Sequence, residues 1–217
     1  MLPSLRALLL DLDGTLIDRD AALRACLREH AVADEHLDQL VDLDRADHSS
    51  LTALSRHLHQ DRPNLAADPA ALARRLRQRL PSFITPDPTI TAALTQLNRA
   101  GLRLALISNG GPTQRLKLAA AKIDPALFEI IHISSEHTHA KPHRAIFQSA
   151  LTALDLPASA TLMIGDSAEQ DIEGAHNLNI PTLWISHDRA YPGNCVAPTL
   201  TAPDFCSAVA LVLCNLD

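Results

Sequence analysis

The stretch that most constrains the fold of this chain is Leu5–Leu16, in which an apolar run stops at two aspartates that are followed by Gly-Thr. The run Leu8–Leu10 has the composition of a strand that is buried on both faces of a sheet. Gly14 permits a sharp turn after it. In open α/β sheets, ligands bind beyond the carboxyl ends of the strands, so we expect Asp11 and Asp13 to lie at a functional site.

This pair of aspartates suits metal-assisted group transfer. Alternation along a strand would point Asp11 and Asp13 the same way, with Leu12 opposite. Two carboxylates so close together repel each other unless they share a proton or a cation, and Mg²⁺ takes carboxylate and phosphate oxygens as ligands. One aspartate can also attack phosphorus while the other acts as general acid and base. The alternative is an ordinary acidic turn, because Asp-Gly is a frequent turn pair.

Composition narrows the class of partner. The chain has 217 residues and a formal net charge of −6, which argues against a nucleic-acid polymer as the main partner because phosphate neutralisation needs a basic surface. The four cysteines form no C-x-x-C pair, so we expect reduced thiols in a cytoplasmic protein. We expect no membrane span and no signal peptide, since the apolar runs are short and the first one leads into Asp11. No pattern in the sequence indicates an oligomeric state.

The segment after the first motif is predicted to be a helical insert, residues 17–85. Three helices are expected: one capped by Asp20, one opened by Ser49 or Ser50, and one that begins at Pro69 with Asp68 as its cap. Prolines at 81, 86 and 88 then indicate a linker, because proline interrupts regular secondary structure. The insert would separate residues 1–16 from residues 86–217, which form the second predicted domain.

Strand and helix patterns alternate in the rest of the chain. Apolar runs of strand length lie at 102–107, 129–133, 161–164 and 182–185. Helical patterns follow Asp87-Pro88 and lie at 112–122, 146–154, 171–178 and in the tail from 205 to 213. Such alternation predicts an α/β domain with a parallel sheet and helices on both faces.

Polar side chains follow these strands as well. Ser108 and Asn109 end the second strand, Lys141 comes after the third, and Asp166 and Asp171 follow the fourth. Each alone has an ordinary explanation as a turn, a solvated lysine or a helix cap. Together they supply carboxylates for a metal, a hydroxyl and an amide for phosphate oxygens, and a positive charge. These are the groups that phosphoryl transfer requires.

The same residues, in the same order, resemble the four motifs of the haloacid dehalogenase superfamily of phosphohydrolases. Asp11-Leu12-Asp13-Gly14-Thr15-Leu16 resembles the first motif, Ser108 the second, Lys141 the third, and Asp166 with Asp171 the fourth. The resemblance implies a Rossmann-like parallel sheet of order 3-2-1-4-5, with a helical cap domain inserted after the first motif. Ser-Asn-Gly-x-x-x-Gln, Ala-Lys-Pro and Gly-Asp-Ser-x-x-x-Asp are closest to the pyrimidine 5′-nucleotidase and N-acylneuraminate-9-phosphatase branch.

The resemblance also implies a mechanism. Asp11 would attack phosphorus and form an aspartyl-phosphate, and Asp13 would protonate the leaving alcohol and then deprotonate the hydrolytic water. Mg²⁺ would be bound by Asp11, the backbone carbonyl of Asp13, and Asp166. The enzyme would be a phosphoric monoester hydrolase acting on a small phosphorylated metabolite.

Further roles follow from the same resemblance. Ser108, Lys141 and the backbone N–H groups around Leu12 and Asn109 would hold the phosphoryl oxygens. Thr15 would steady the loop and belongs to the same phosphate-binding set. The remaining motif residue, Asp171, would orient Lys141 or a metal-bound water.

Alternatives remain open at this stage. A metal-independent 2-haloacid dehalogenase shares the nucleophile, although Asp13 favours phosphoryl transfer, and a phosphomutase shares all four motifs. A module that has lost catalysis is disfavoured because every catalytic position is filled. The substrate could be a nucleotide, a sugar phosphate or phosphoglycolate, and the absence of Phe, Tyr and Trp between residues 17 and 82 disfavours a base-stacking pocket. Four histidines at 132, 137, 139 and 143 are interpreted as a solvated loop rather than a transition-metal site.

Overall fold

The computed structural model describes residues 5–48 and 50–216, which divide into two compact units. The first unit runs to Ile17 and resumes at Pro86, and the second is Asp18–Thr85. The first unit contains the sheet, and the second is helical.

The first unit is built on a parallel sheet of order β3-β2-β1-β4-β5-β6. Its strands are β1 Ala7–Leu10, β2 Arg103–Ser108, β3 Ile130–Ile133, β4 Thr161–Gly165, β5 Thr182–Ile185 and β6 Leu200–Ala202. The predicted order 3-2-1-4-5 is confirmed, and β6 extends it by a strand that the sequence analysis missed. β6 has three residues, of which only Ala202 is buried, so it carries almost no apolar pattern.

The central position of β1 follows from its composition. All four of its side chains are fully buried, and it pairs with β2 on one side and β4 on the other, with Leu8 opposite Leu104 and Leu162. A strand without polar side chains is stable only where both of its faces are covered. β1 therefore carries the residues that follow it into the middle of the sheet edge.

The helical unit contains α1 Arg19–Glu29, α2 Asp34–Ala46, α3 Thr52–Asp61 and α4 Pro69–Arg79. α4 begins as predicted, with Asp68 accepting a hydrogen bond from the Ala71 N–H at 2.7 Å. Asp18, not Asp20, caps α1, and Leu51 precedes α3 in a left-handed conformation in place of a serine cap. Ser49 lies outside the described residues.

The sequence analysis missed α2 because no capping residue marks its start: the N-cap residue is Ala33, which makes no side-chain hydrogen bond. A buried ion pair ties this helix to α1, with Arg19 Nη1 2.6 Å from Asp44 Oδ2. Asp44 also accepts a hydrogen bond from the Leu51 N–H at 2.7 Å, so its charge is satisfied on two sides. Breaking a buried pair on one side only would leave the other charge uncompensated.

The helices of the sheet unit are α5 Pro88–Arg99, α6 Thr113–Ala120, α7 Arg144–Leu154, α8 Gly174–His176 and α9 Phe205–Leu213. Ala7 and Leu9 of β1 pack in one cluster with Phe147 and Leu154 of α7. Side chains alternate along a strand, so the fully buried Leu8 and Leu10 face the other side of the sheet, which is also covered. None of the helices in the described ranges is long and apolar enough to span a lipid bilayer.

Candidate active site

The site lies beyond the carboxyl ends of β1, β2 and β4, where predicted site residues from all four motifs come together. Asp11 continues β1 directly, since its N–H donates to the Ile164 carbonyl at 3.0 Å. Ser108 is the last residue of β2, and Asp166 follows the last residue of β4. The register of the sheet therefore brings together side chains that are far apart in the sequence.

Lys141 is the centre of a buried ion-pair network. Its Nζ lies 2.5 Å from Asp11 Oδ1 and 2.7 Å from Asp171 Oδ1. The second oxygen of Asp171 accepts a hydrogen bond from the Ser167 N–H at 3.0 Å. Burial lowers the pKa of Lys141, but the carboxylates of Asp11 and Asp171 outweigh it and raise that pKa above its usual value, so the amine stays charged.

Asn109 fixes the backbone of Lys141. Its Nδ2 donates to the Lys141 carbonyl and its Oδ1 accepts from the Lys141 N–H, both at 2.8 Å. The side-chain amide predicted to face a phosphate is thus engaged in holding the lysine. Asn109 Nδ2 also approaches Gln170 Oε1 at 3.2 Å.

Asp13 forms a second ion pair, with Lys117. Lys117 Nζ is 2.7 Å from Asp13 Oδ1 and 2.6 Å from Oδ2. Gln114 Nε2 donates to Asp13 Oδ2 at 2.9 Å and to Ser108 Oγ at 2.6 Å. The two first-motif carboxylates are therefore each held by a different lysine.

Asp166 is held by the loop after β5. Arg189 Nη2 lies 3.1 Å from Asp166 Oδ2, and the same guanidinium donates to the carbonyl of Ile185. Trp184 Nε1 donates to the Asp166 carbonyl at 2.8 Å. These bonds fix both the backbone and one carboxylate oxygen of Asp166.

Oxygens of Asp11, Asp166 and Asp171 all lie within 4.8 Å of one another, a spacing that a single metal ion can bridge. Burial raises the pKa of Asp11 to about 7, although Lys141 pulls it down, and burial next to Asp11 raises the pKa of Asp166 to about 6. The raised pKa values mean that the nearby positive charges of Lys141 and Arg189 do not fully offset the cost of burying these carboxylates in their ionised form. Hard carboxylate oxygens with surplus negative charge fit a divalent cation such as Mg²⁺. The Asp13 side chain is not part of this group, whereas Asp171 is.

The two remaining predicted residues shape the turn after β1. Leu12 is buried, and its carbonyl accepts from the N–H groups of Leu16 and Ile17 at 3.0 and 3.1 Å. Thr15 is 5% exposed, and its Oγ1 is a buried hydroxyl without a hydrogen-bond partner in the described part of the chain. Thr15 therefore makes no side-chain bond to Asp13 in this conformation.

Two glycines leave room for the carboxylates. Gly14 has φ +78°, and a Cβ there would lie 2.7 Å from Asp166 Cγ. A Cβ on Gly165 would overlap the Asp171 carboxyl group and lie 2.6 Å from Asp171 Cβ. Neither position can carry a side chain unless an acidic residue of the site moves.

Gly165→Ala is expected to lower the free energy of unfolding by about 1–3 kcal/mol, because overpacking a dense interior forces neighbouring atoms to shift. Gly111→Ala is the matched control, since a Cβ there meets nothing within 4 Å, and it should stay within about 0.5 kcal/mol of the parent. Urea unfolding of both variants measures the difference. Equal stability of the two variants would contradict the close approach of the Asp171 side chain to the position that a Cβ at residue 165 would occupy.

Sequence reasoning missed Lys117 and Arg189 altogether. Lys117 follows Gln114 by three residues on α6, so the two share one helix face, and this spacing was the available signal. Arg189 gave no signal, because it lies in an irregular loop where His187 and Asp188 both have positive φ. The predicted helix at 171–178 is instead a π-helix, Ala168–Glu173, followed by α8, and π-turns often occur at functional sites.

The sequence analysis expected all four histidines to lie in a solvated loop, but one of them, His132, is buried. His132 is 8% exposed, and its ring centroid lies 4.1 Å from that of His137. His139 and His143 are exposed and stack at 3.8 Å. Among the residues described, no three of these histidines bring ligand atoms together as a metal would require.

The chain belongs to the family described as haloacid dehalogenase-like hydrolase, whose model matches residues 5–179. The match spans all four motifs and the segment between the first two. The protein is accordingly a hydrolase of this family.

Curated relatives include several phosphatases. The chain is 33% identical to the glyceraldehyde 3-phosphate phosphatase of Pyrococcus abyssi over 50% of this chain and 45% of the relative. It is 32% identical to the pyrimidine 5′-nucleotidase YjjG of Escherichia coli over 63% of this chain and 61% of the relative. The N-acylneuraminate-9-phosphatase of Rattus norvegicus is 32% identical over 50% of this chain and 44% of the relative. The chain spans about half the length of the curated relatives that it matches.

Solved structures share the fold along nearly the whole chain. The HAD-hydrolase YfnB from Bacillus subtilis, in a structure bound to magnesium, has a TM-score of 0.79 at 20% identity and covers 98% of this chain and 99% of its own. A dehalogenase with an intermediate complex has a TM-score of 0.78 at 20% identity, covering 97% and 98%. Phosphatases and dehalogenases therefore both occur among the similar proteins.

Proposed function

We propose that this protein is a Mg²⁺-dependent phosphatase that hydrolyses the phosphate monoester of a small metabolite through an aspartyl-phosphate on Asp11. The observation that carries the proposal is the convergence of the Asp11, Asp166 and Asp171 carboxylates, two of which, Asp11 and Asp171, bond to the buried ammonium group of Lys141. Such a site offers a carboxylate nucleophile, ligands for a hard cation and a fixed positive charge. These are the elements that phosphoryl transfer requires.

Asp11, Asp166 and the backbone carbonyl of Asp13 are the proposed magnesium ligands. When bound, the ion would neutralise charge on the phosphoryl oxygens. Asp171 lies close enough to contribute, but both of its oxygens already accept hydrogen bonds, from Lys141 and from the Ser167 N–H. We therefore assign Asp171 the role of orienting Lys141.

Asp11 is the proposed nucleophile. Its bond to Lys141 favours the ionised carboxylate and fixes one oxygen, which leaves the other to attack phosphorus. Asp13 begins the cycle protonated, and as the bond between phosphorus and the leaving oxygen breaks it gives that oxygen its proton, so an alcohol departs and Asp11 becomes an aspartyl-phosphate. Asp13 then takes a proton from the water that attacks phosphorus, which releases phosphate and restores Asp11.

Backbone and side-chain donors would hold the phosphoryl oxygens. The proposed donors are the Ser108 hydroxyl, the Lys141 ammonium group and the N–H groups around Leu12 and Asn109. Thr15 Oγ1 lies buried in the same turn and has no hydrogen-bond partner among the described residues, so its hydroxyl is available to a bound phosphate or to Asp13 after a rotation. Pre-arranged donors of this kind stabilise the charge that develops during transfer.

The substrate class is proposed from the relatives, whose names specify small phosphorylated compounds. The helical unit, which we propose to be the cap domain, contains no Phe, Tyr or Trp up to position 82, which weighs against stacking on a nucleobase. The four cysteines are free, in agreement with a reducing compartment such as the cytoplasm.

The test is phosphate release from p-nitrophenyl phosphate and from a panel of phosphorylated metabolites, with Mg²⁺ and with a chelator. The proposal predicts turnover with Mg²⁺ that falls by at least about 10²-fold in the chelator, since the metal contributes several kcal/mol of charge stabilisation. Full turnover in the chelator, or none with Mg²⁺, would contradict it.

The dehalogenases among the similar folds make halide release the competing activity. Free halide from 2-chloropropionate in the presence of a chelator, without phosphate release from any ester, would establish it. Transfer of phosphate within a sugar phosphate that depends on a bisphosphate activator would instead establish a phosphomutase.

Asp166→Asn is expected to raise the Mg²⁺ concentration needed for half-maximal thermal stabilisation by at least about tenfold, because a charged ligand is replaced by a neutral one. Thermal melts along a Mg²⁺ titration measure this without any substrate. Asp155→Asn, an exposed aspartate after α7, is the matched control and should leave the titration unchanged. An unchanged titration in Asp166→Asn would remove this residue from the metal site.

A further inference from the structure

The Lys117–Asp13 ion pair is a contact of the first motif that the proposed chemistry does not use. Lys117 Nζ reaches both carboxylate oxygens, at 2.7 and 2.6 Å. The Lys117 side chain is 6% exposed and that of Asp13 is 18% exposed. A lysine is rarely buried unless it is paired, so this pairing is a specific feature of the site.

Two donors to Asp13, Gln114 and Lys117, come from one face of α6. Gln114 and Lys117 are three residues apart on this helix and are 3% and 4% exposed. The backbone makes room for Gln114 at Gly110, which has φ +145° and where a Cβ would lie 2.8 Å from Gln114 Cγ. The loop between Ser108 and α6 is thus shaped around the glutamine.

Gln114 joins two groups with different proposed roles. Its Nε2 carries two hydrogens and donates to Asp13 Oδ2 at 2.9 Å and to Ser108 Oγ at 2.6 Å. Because Ser108 Oγ accepts from Gln114, the serine's own hydrogen is directed elsewhere and is available to a phosphoryl oxygen. One amide therefore sets the orientation of the phosphate-binding hydroxyl and of the acid–base carboxylate together.

We propose that Lys117 and Gln114 are positioning residues that hold the Asp13 carboxylate in the orientation needed for proton transfer to and from the leaving oxygen and water. The inference rests on the proposed phosphatase function, since it assigns a purpose to Asp13. Neither residue exchanges a proton: Asp13, protonated at the start of the cycle, gives its proton to the departing oxygen and regains one from the attacking water, and the ion pair with Lys117 corresponds to its ionised form between the two transfers.

Stability alone does not account for this arrangement. A buried ion pair is often no more stabilising than apolar side chains of the same volume, so packing of α6 does not require a lysine here. Bonds to both oxygens fix the plane of the carboxylate, whereas a bond to one oxygen leaves it free to rotate. General acid–base groups are effective only within hydrogen-bond reach of the proton that they move.

The test uses two esters of similar size that differ in their need for a proton. p-Nitrophenolate leaves readily without protonation, whereas the benzyl alkoxide does not. Since kcat/KM includes the steps up to departure of the alcohol, loss of acid catalysis lowers it selectively for benzyl phosphate. Lys117→Met is expected to reduce kcat/KM by about 10²-fold for benzyl phosphate and by less than about tenfold for p-nitrophenyl phosphate.

Three variants serve as controls. Lys117→Arg retains the charge and is expected to recover most of the benzyl phosphate activity. Lys122→Met makes the same change at an exposed lysine of the following turn and should match the wild type with both esters. Gln114→Met removes a second donor to Asp13 and also releases Ser108 Oγ, so we expect a loss shared by both esters and, beyond it, a larger loss for benzyl phosphate, which keeps the comparison available if Lys117→Met does not fold.

The outcomes separate this inference from the function on which it rests. An equal loss for both esters, or a rise in KM alone, would show that Lys117 acts on folding or on phosphate binding and would overturn the inference while leaving a phosphatase. If the wild type hydrolyses neither ester with Mg²⁺, both the proposed function and the inference fall. Selective loss with benzyl phosphate, recovered by arginine, supports the inference.

Discussion

Asp11→Asn is expected to remove turnover and to leave the fold intact. The amide has the shape of the carboxyl group but is not a nucleophile, so kcat is expected to fall by at least about 10⁴-fold, as when other covalent catalysts lose the attacking group. Stability should not fall, because Asp11 is a buried carboxylate whose pKa is raised to about 7 by burial, and Lys141 keeps Asp171 as a partner. Phosphate release and a thermal melt of the same sample measure both effects.

The control for Asp11→Asn is Asp155→Asn, which makes the same chemical change at an exposed site and should retain full turnover. Turnover by Asp11→Asn above about one tenth of the wild-type rate would remove Asp11 from the role of nucleophile. Loss of the folded melt would show instead that the carboxylate is needed for folding.

Lys141→Met is expected to cost both stability and activity. It leaves Asp11 and Asp171 buried without the ammonium group that lies 2.5 and 2.7 Å from them, and unpairing a buried ion pair costs about 3–5 kcal/mol in the free energy of unfolding. Activity should fall to background because Asp11, the proposed nucleophile, loses its orienting charge. Urea unfolding followed by circular dichroism gives the stability difference.

Two further variants identify the origin of this loss. Lys122→Met is the matched exposed control and should change stability by less than about 0.5 kcal/mol. Adding Asp171→Asn to Lys141→Met should recover part of the stability, since one uncompensated charge is removed. If Lys141→Met is as stable as the control, the described network does not contribute to folding as its burial implies.

The part of the site that could be predicted from the sequence is the part that comes directly from strand ends. Apolar runs define β1, β2 and β4, and the polar residues that follow them are brought together by the parallel register. Asp11, Ser108 and Asp166 needed no more than this argument. Lys141 and Asp171 lie farther along their loops, and the motif resemblance was needed to include them.

The rest could not be predicted because it depends on tertiary contacts without a local pattern. Lys117 resembles any surface lysine of an amphipathic helix until the fold places α6 beside Asp13. Arg189 reaches Asp166 only because its loop turns back through left-handed residues after β5. α2 lacks a capping side chain, and β6 lacks an apolar run, so both were missed.

The measurement that tests the central claim most directly is to trap the covalent intermediate. Wild-type protein is mixed with a phosphate ester and Mg²⁺, quenched in acid within the first turnovers, digested and examined by mass spectrometry. The proposal predicts that the peptide containing Asp11 gains the mass of one phosphoryl group, and that Asp11→Asn shows no such gain. Phosphate release with no phosphorylated peptide, or a phosphoryl group on another residue, would contradict it.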